Sequence, residues 1–194
     1  MAQPSATLES QRLYSLEEFE RLDLPASNGN KYELIDGELK VSPPAGYEHG
    51  RIGSKIARSI TLFDPDEKLG VILQATRFQV APGFGPAPDV AFITSANLPP
   101  TIKGAVPVRP DLAVEVWSPG DLDTKAHREE ARAKIRRYQV AGVVIVWAIN
   151  PQEHKVEVYH PGQAGPVHVL GVSEELSGED VIPGFTMSVK ALFD

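Results

Sequence analysis

Apolar positions along the chain recur with two periods, and the periods separate helices from strands. Between residues 49 and 63, Ile52, Ile56, Ile60 and Phe63 recur at helical spacing while Arg51, Lys55 and Arg58 fall on another face, which predicts an amphipathic helix with a basic side. A second long helix is predicted over 123–140, where Ala131, Ile135 and Tyr138 form the stripe that faces a sheet and Gly142 takes the position typical of a helix end. Runs rich in β-branched and aromatic residues predict strands at Val71 to Val80, Val90 to Ile93, Leu112 to Trp117, Val143 to Ile149 and Val156 to Tyr159. Near the N-terminus, Ser15 and Glu18 form a capping box for a short helix, and 26–31 reads as a polar loop. Asp36-Gly37 between two short strand-like runs predicts a tight hairpin over Tyr32 to Ser42, ended by Pro43-Pro44.

A strand, a helix and a further apolar strand in succession imply a crossover unit, while the early hairpin and the 143–159 pair imply antiparallel pieces. The expected fold is therefore α/β, with a central mixed sheet flanked by helices and an N-terminal β-hairpin. Residues 161–188 read as extended structure over one edge, with a turn at Pro183-Gly184. A length of 194 residues suits one domain, expected over 13–194 behind a loose tail at 1–12. Composition narrows this further. The absence of cysteine excludes disulfides and thiolate zinc sites and fits a reducing cytosol. A net charge of −7 argues against a general basic coat for nucleic acid, although a local patch is compatible with it. No run has the length of a membrane-spanning helix and the first residues lack a secretory pattern, so a cytoplasmic protein is expected.

The candidate chemistry lies in two strands. Leu112 to Trp117 is almost continuously apolar, as in a strand covered on both faces, and Glu115 is its one charge. Asp89 follows Pro88 at the start of another apolar strand. If the two strands are neighbours, the carboxylates converge, and with a main-chain carbonyl, that of Val116, they make a hard oxygen site suited to Mg2+ or Mn2+ and to phosphate chemistry. Such a site calls for a cation. A lysine two residues after Glu115 would serve, but Trp117 stands there, and Lys134, four residues before Tyr138 on the edge of the helix stripe, is the substitute. Each residue also has a plainer reading: Asp89 as a strand start, Glu115 in a salt bridge with an arginine, Lys134 as a snorkelling helix residue, Glu33 as an exposed hairpin residue opposite Leu39 or Lys40, and His49 as a cap or hydrogen-bonded structural histidine.

The run Tyr32 to Leu39 (YELIDGEL), His49, Pro88 to Phe92 (PDVAF), Pro110 to Pro119 (PDLAVEVWSP), and Lys134 with Tyr138, Gly142-Val143 and Trp147 resemble the Uma family of putative restriction endonucleases, within the PD-(D/E)XK nuclease superfamily. The resemblance spans about 16–193. It implies the restriction-endonuclease-like fold, metal ligation by Asp89 and Glu115, the catalytic-lysine role for Lys134 and a supporting acidic role for Glu33. Two departures are the missing lysine at 117 and a longer 118–134 stretch, for which Lys125 is the fallback lysine. A phosphate-binding rim is expected from Arg51, Lys55 and Arg58 together with Lys125, His127, Arg128, Arg132, Arg136 and Arg137. The combined expectation is an endonuclease that uses Mg2+ or Mn2+ and no organic cofactor to hydrolyse phosphodiester bonds in DNA, acting as a homodimer by analogy with related folds. The alternatives are a non-catalytic nucleic-acid-binding or interaction module on the same fold, and a hydrolase of RNA or another phosphorylated substrate.

Overall fold

The computed structural model describes residues 12–24, 29–100 and 103–194. Of the expected tail, residues 1–11 lie outside the described residues, as do 26–28 of the polar loop. The chain runs α1 (Leu16–Glu20), β1 (Lys31–Ile35), β2 (Glu38–Ser42), α2 (Tyr47–Phe63), β3 (Gly70–Gln74), β4 (Val90–Thr94), β5 (Leu112–Val116), α3 (Pro119–Leu122) and α4 (Lys125–Val140). It continues through β6 (Ile145–Asn150), β7 (Lys155–Tyr159), β8 (His168–Leu170), β9 (Glu175–Ser177), β10 (Thr186–Ser188) and α5 (Val189–Phe193).

Strands β3 to β8 form one six-stranded sheet in chain order. Only β5 and β6 pair in parallel, joined by α4 as the predicted crossover, and the other neighbours are antiparallel. Alternation along β5 sends Leu112, Val114 and Val116 to one face, where α2 buries Ile52, Ile56 and Ile60 and the C-terminal segment adds Leu176, Ile182, Phe185 and Leu192. Ala113 and Trp117 face the other way, against Ile135 and Tyr138 of α4. Residue 115 shares that second face. Its register partner on β6 is Ala148, so small side chains leave room beside it.

The hairpin β1–β2 is held by a two-residue turn in which Asp36 (φ 55°) and Gly37 (φ 80°) are both left-handed, as the sequence predicts. It is tied to the loop before β4 by reciprocal backbone hydrogen bonds between Leu34 and Gly85, 3.0 and 2.8 Å long, and by one from the Gly37 N–H to the Gly83 carbonyl. These bonds carry the start of β1 over the second face of the main sheet. The Ser15–Glu18 capping box is present at α1.

Several predicted boundaries move. The strand expected over 71–80 ends at Gln74, because Ala75 turns the chain with φ 46°. The helix expected from 123 begins at Lys125, capped by the Thr124 hydroxyl, and is separated from the short α3. The last segment holds three short strands: β8 on the sheet edge and β9 paired with β10. Among the described residues no helix is long and apolar enough to cross a membrane.

Gly142 closes α4 with φ 78°, and the Val143 N–H reaches the Tyr138 carbonyl at 3.0 Å while the Gly142 N–H reaches that of Gln139 at 3.1 Å. A Cβ there meets nothing closer than the Arg109 guanidinium at 3.7 Å, so the strain is conformational alone. Gly142→Ala should therefore cost about 1 kcal/mol, measured by urea denaturation.

Candidate active site

Glu115 is 6% exposed and Glu33 5% exposed, so both carboxylates lie out of solvent. Their charge is balanced from α4. Lys134 Nζ lies 2.8 Å from Glu33 Oε1, 2.8 Å from Glu115 Oε1 and 2.9 Å from Glu115 Oε2. One helical turn on, the Tyr138 hydroxyl donates to Glu115 Oε1 at 2.7 Å. The pairing follows from the stripe on α4: Ile135 and Tyr138 pack on the sheet, and the residue preceding Ile135 hangs over the sheet end with its ammonium turned inward.

Asp89 enters from the start of β4. Its Oδ2 accepts the Val116 N–H at 2.8 Å and lies 2.9 Å from His49 Nε2, while its Oδ1 accepts from Lys31 Nζ at 3.1 Å. His49 is the third residue of α2, and its Nδ1 lies 3.1 Å from the Ser118 hydroxyl. Glu33 closes the ring by accepting the Ala87 N–H at 2.7 Å, which fixes the hairpin to the loop that leads into Asp89. The cluster thus gathers three carboxylates, two ammoniums and one imidazole from β1, α2, the residue before β4, β5 and α4.

The ionisation of these groups follows from burial set against neighbours. Burial pushes the Asp89 carboxyl up, but the His49 hydrogen bond and the Lys31 ammonium outweigh it and hold Asp89 below the usual carboxylate range. Glu33 behaves alike: burial raises it, and Lys134 and Lys31 bring it below its ordinary value. For Glu115 burial wins, aided by the nearby Asp89 and Glu33 charges, and its carboxyl sits above its ordinary value despite Lys134. Burial pulls Lys134 down, yet Glu115 and Glu33 hold its ammonium well above the usual lysine range. Asp111, the residue before β5, gives the contrast of a structural acid. It accepts from the Thr94 N–H and hydroxyl at 2.8 Å each and from Asn97 Nδ2 at 2.7 Å, all neutral donors.

The structure brings Asp89, Glu115, Lys134, Glu33 and Val116 together and leaves Lys125 exposed at the start of α4, where no bond to the cluster is made. The exposed-hairpin reading of Glu33 fails because β1 is carried onto the loop before β4. Sequence reasoning missed Lys31 entirely and set His49 aside as structural. The signal for Lys31 was the alternation Lys31-Tyr32-Glu33, which puts both charges on one face of β1. The rim is largely spoken for. Arg136 pairs with Glu129 at 2.7 Å, Arg132 approaches Glu157 at 3.7 Å, His127 meets Asp123 at 2.6 Å, Arg137 pairs with Asp36, and Arg128 donates to the Leu122 carbonyl. Lys55 donates to the Ala191 carbonyl at 2.7 Å. Arg51 and Arg58 remain as basic residues of the α2 surface.

Among the described residues no set of three or more His, Asp or Glu side chains is arranged to hold a metal ion. The donor chemistry nevertheless fits a hard divalent cation through two carboxylates and a carbonyl. The Val116 N–H points at Asp89, and the N–H and C=O of a strand residue lie on the same strand edge, so the Val116 carbonyl opens on the Asp89 side as well. Lys31 and Lys134 occupy the carboxylate oxygens that such a cation would take.

The family Uma2, described as putative restriction endonuclease, matches residues 16–190. A solved structure, described as a putative nuclease belonging to DUF820 from Anabaena variabilis ATCC 29413, superposes with a TM-score of 0.74 at 22% identity, covering 92% of this chain and 97% of its own. At that identity the likeness speaks for the fold. No curated protein matches.

A depressed carboxyl pKa stabilises the folded state above the unfolded value, about pH 4 for aspartate, and the contribution is lost as the pH falls through the lower folded value. Asp89→Asn should therefore lower the unfolding free energy by about 3 kcal/mol at pH 7. The deficit should shrink below about pH 4, which urea denaturation at pH 7 and pH 3 would reveal.

Proposed function

The chain belongs to the Uma2 family of putative restriction endonucleases, and from that premise we propose that it is a metal-dependent endonuclease hydrolysing phosphodiester bonds in DNA. The observation that carries the reading is the convergence of Asp89, Glu115 and Glu33 with Lys134 at one end of the sheet. Acidic residues buried beside apolar strands ask for a cationic partner, and here three carboxylates share the ammoniums of Lys31 and Lys134.

Asp89, Glu115 and the Val116 carbonyl would hold the cation, Mg2+ or Mn2+ on the strength of their oxygen donors. Bound there, it supplies a Lewis acid for the scissile phosphate and a water of lowered pKa. In hydrolysis the water oxygen bonds to phosphorus as the bond to the leaving sugar oxygen breaks. The water gives up one proton to solvent and the leaving oxygen takes one, so a phosphomonoester and an alcohol result. His49 and the Val116 N–H hold Asp89 in one orientation through its Oδ2. Lys134 stays between Glu33 and Glu115 and keeps Glu115 turned toward the β5 end. DNA as substrate rests on the family description, and Arg51 and Arg58 on α2 are the cations available to a backbone phosphate.

A second reading has its own observation. Lys134 already satisfies Glu33 and Glu115, as it would in an interaction module that keeps the fold without turnover.

Cleavage of supercoiled and single-stranded DNA with Mn2+, Mg2+ or chelator separates these readings. Wild type should cut only with metal, and Asp89→Ala and Glu115→Ala should fall to background while remaining folded. Lys134→Ala should lose about 10²-fold or more. Wild type that binds Mn2+ without cutting DNA or RNA would favour the non-catalytic module. If DNA is bound, its affinity should fall as salt rises, read by fluorescence anisotropy between about 50 and 200 mM salt.

A further inference from the structure

The two ammoniums of the cluster are held very differently. Lys134 has three N–H groups and three carboxylate oxygens within 2.9 Å, two from Glu115 and one from Glu33. Its departure would leave two buried carboxylates unpaired. Lys31 makes one hydrogen bond to the cluster, to Asp89 Oδ1 at 3.1 Å, and lies 3.9 Å from Glu33 Oε2, beyond hydrogen-bond reach. It is also the more exposed of the two, with 23% of its side chain accessible against 16%.

Resting on the reading of this cluster as a metal-dependent phosphodiester site, we propose that Lys31 is the catalytic ammonium that meets the phosphate, while Lys134 is a positioning residue for Glu115. Asp89 explains why. Its Oδ2 is taken by the Val116 N–H and His49, so Oδ1 is the oxygen it offers a divalent cation, and Oδ1 is the oxygen Lys31 occupies. Cation and Lys31 therefore compete for one atom. Once displaced, the ammonium stays tethered to the first residue of β1, whose backbone is paired with Ser42.

Lys31 also lines a cavity of about 440 Å³ with Asn30, Tyr32, Arg77 and Ala87. Two of its lining residues touch the cluster: Lys31 donates to Asp89 Oδ1, and the Ala87 N–H binds Glu33. A phosphate of a nucleic-acid strand that enters here and shares the cation meets the released ammonium. The ammonium donates hydrogen bonds to a non-bridging oxygen and transfers no proton, so the balance of the hydrolysis is unchanged while charge on the phosphorane oxygens is stabilised.

The test uses the full chain as wild type, Lys31→Met, Lys31→Arg and Asp89→Asn, with Mn2+ titrated by calorimetry and thermal melting followed with and without Mn2+. Lys31→Met should bind Mn2+ about fivefold or more tightly than wild type, because a competing positive charge is gone, and should gain more in Tm on Mn2+ addition. Its cleavage rate at saturating Mn2+ should nevertheless fall by about 10²-fold, with Lys31→Arg recovering part of it. If Lys31→Met does not fold, Lys31→Gln carries the same measurements. Mn2+ affinity unchanged or weakened by loss of Lys31 overturns the proposal, as does tighter Mn2+ with an unchanged cleavage rate. Asp89→Asn that binds Mn2+ as well as wild type overturns the metal reading itself, whatever Lys31 does.

Discussion

Glu115 stands in a strand whose other residues are apolar and fully covered, and its charge can remain there only while cationic and hydroxyl donors reach it from the layer above. That requirement couples the site to the fold. The donors come from α4, which is the crossover between the two parallel strands and is held to the sheet by Ile135 and Tyr138. The same Tyr138 that packs edge-on to Phe84 at 5.1 Å gives its hydroxyl to Glu115, so one side chain serves both the core and the acid. Ala113 and Ala148 on this face leave the room in which Lys134 and Tyr138 approach.

Buried charge does not by itself distinguish a candidate site from a structural acid, and both occur here, Glu115 within β5 and Asp111 just before it. Asp111 is buried like Glu115 but is answered by a backbone N–H, a hydroxyl and an amide. It ties a loop. At the other end, three carboxylates share two ammoniums, and burial with mutual repulsion lifts Glu115 while Asp89 and Glu33 are drawn down. Three carboxylates against two ammoniums leave a negative balance that an added cation would offset, whereas a set of neutral donors does not.

Much of this was legible in the chain. The two helices follow from the spacing of Ile52, Ile56 and Ile60 and of Ala131, Ile135 and Tyr138; the hairpin follows from Asp36-Gly37, and the covered strand from its unbroken apolar run. Strand register and neighbours were not legible, because period-two patterns state which face a residue takes but not which strand lies beside it. Hence Asp89 and Glu115 were a conditional pair, and His49 lost its place because nothing in sequence brings the third residue of α2 to the start of β4. Lys31 was hidden for a different reason. Its role depends on the hairpin folding back over the main sheet, a contact made through the backbone of Leu34 and Gly85 that leaves no side-chain signature.

The position of the lysine shows how one electrostatic demand can be met from two backbones. A lysine at 117 would lie on the same sheet face as Glu115, two residues along, and would place its ammonium beside the acid through the strand itself. Trp117 fills that position here and packs into the core under α4. The ammonium instead descends from the helix, so its placement depends on α4 being docked rather than on β5 alone. A helix-borne lysine clamped by two carboxylates is well placed to hold Glu115 and poorly placed to move. Mobility then falls to the cation on the hairpin, where a single hydrogen bond to Asp89 restrains Lys31. On the arrangement we propose, the two tasks that a strand lysine could combine, orienting the acid and meeting the phosphate, would be divided between α4 and β1.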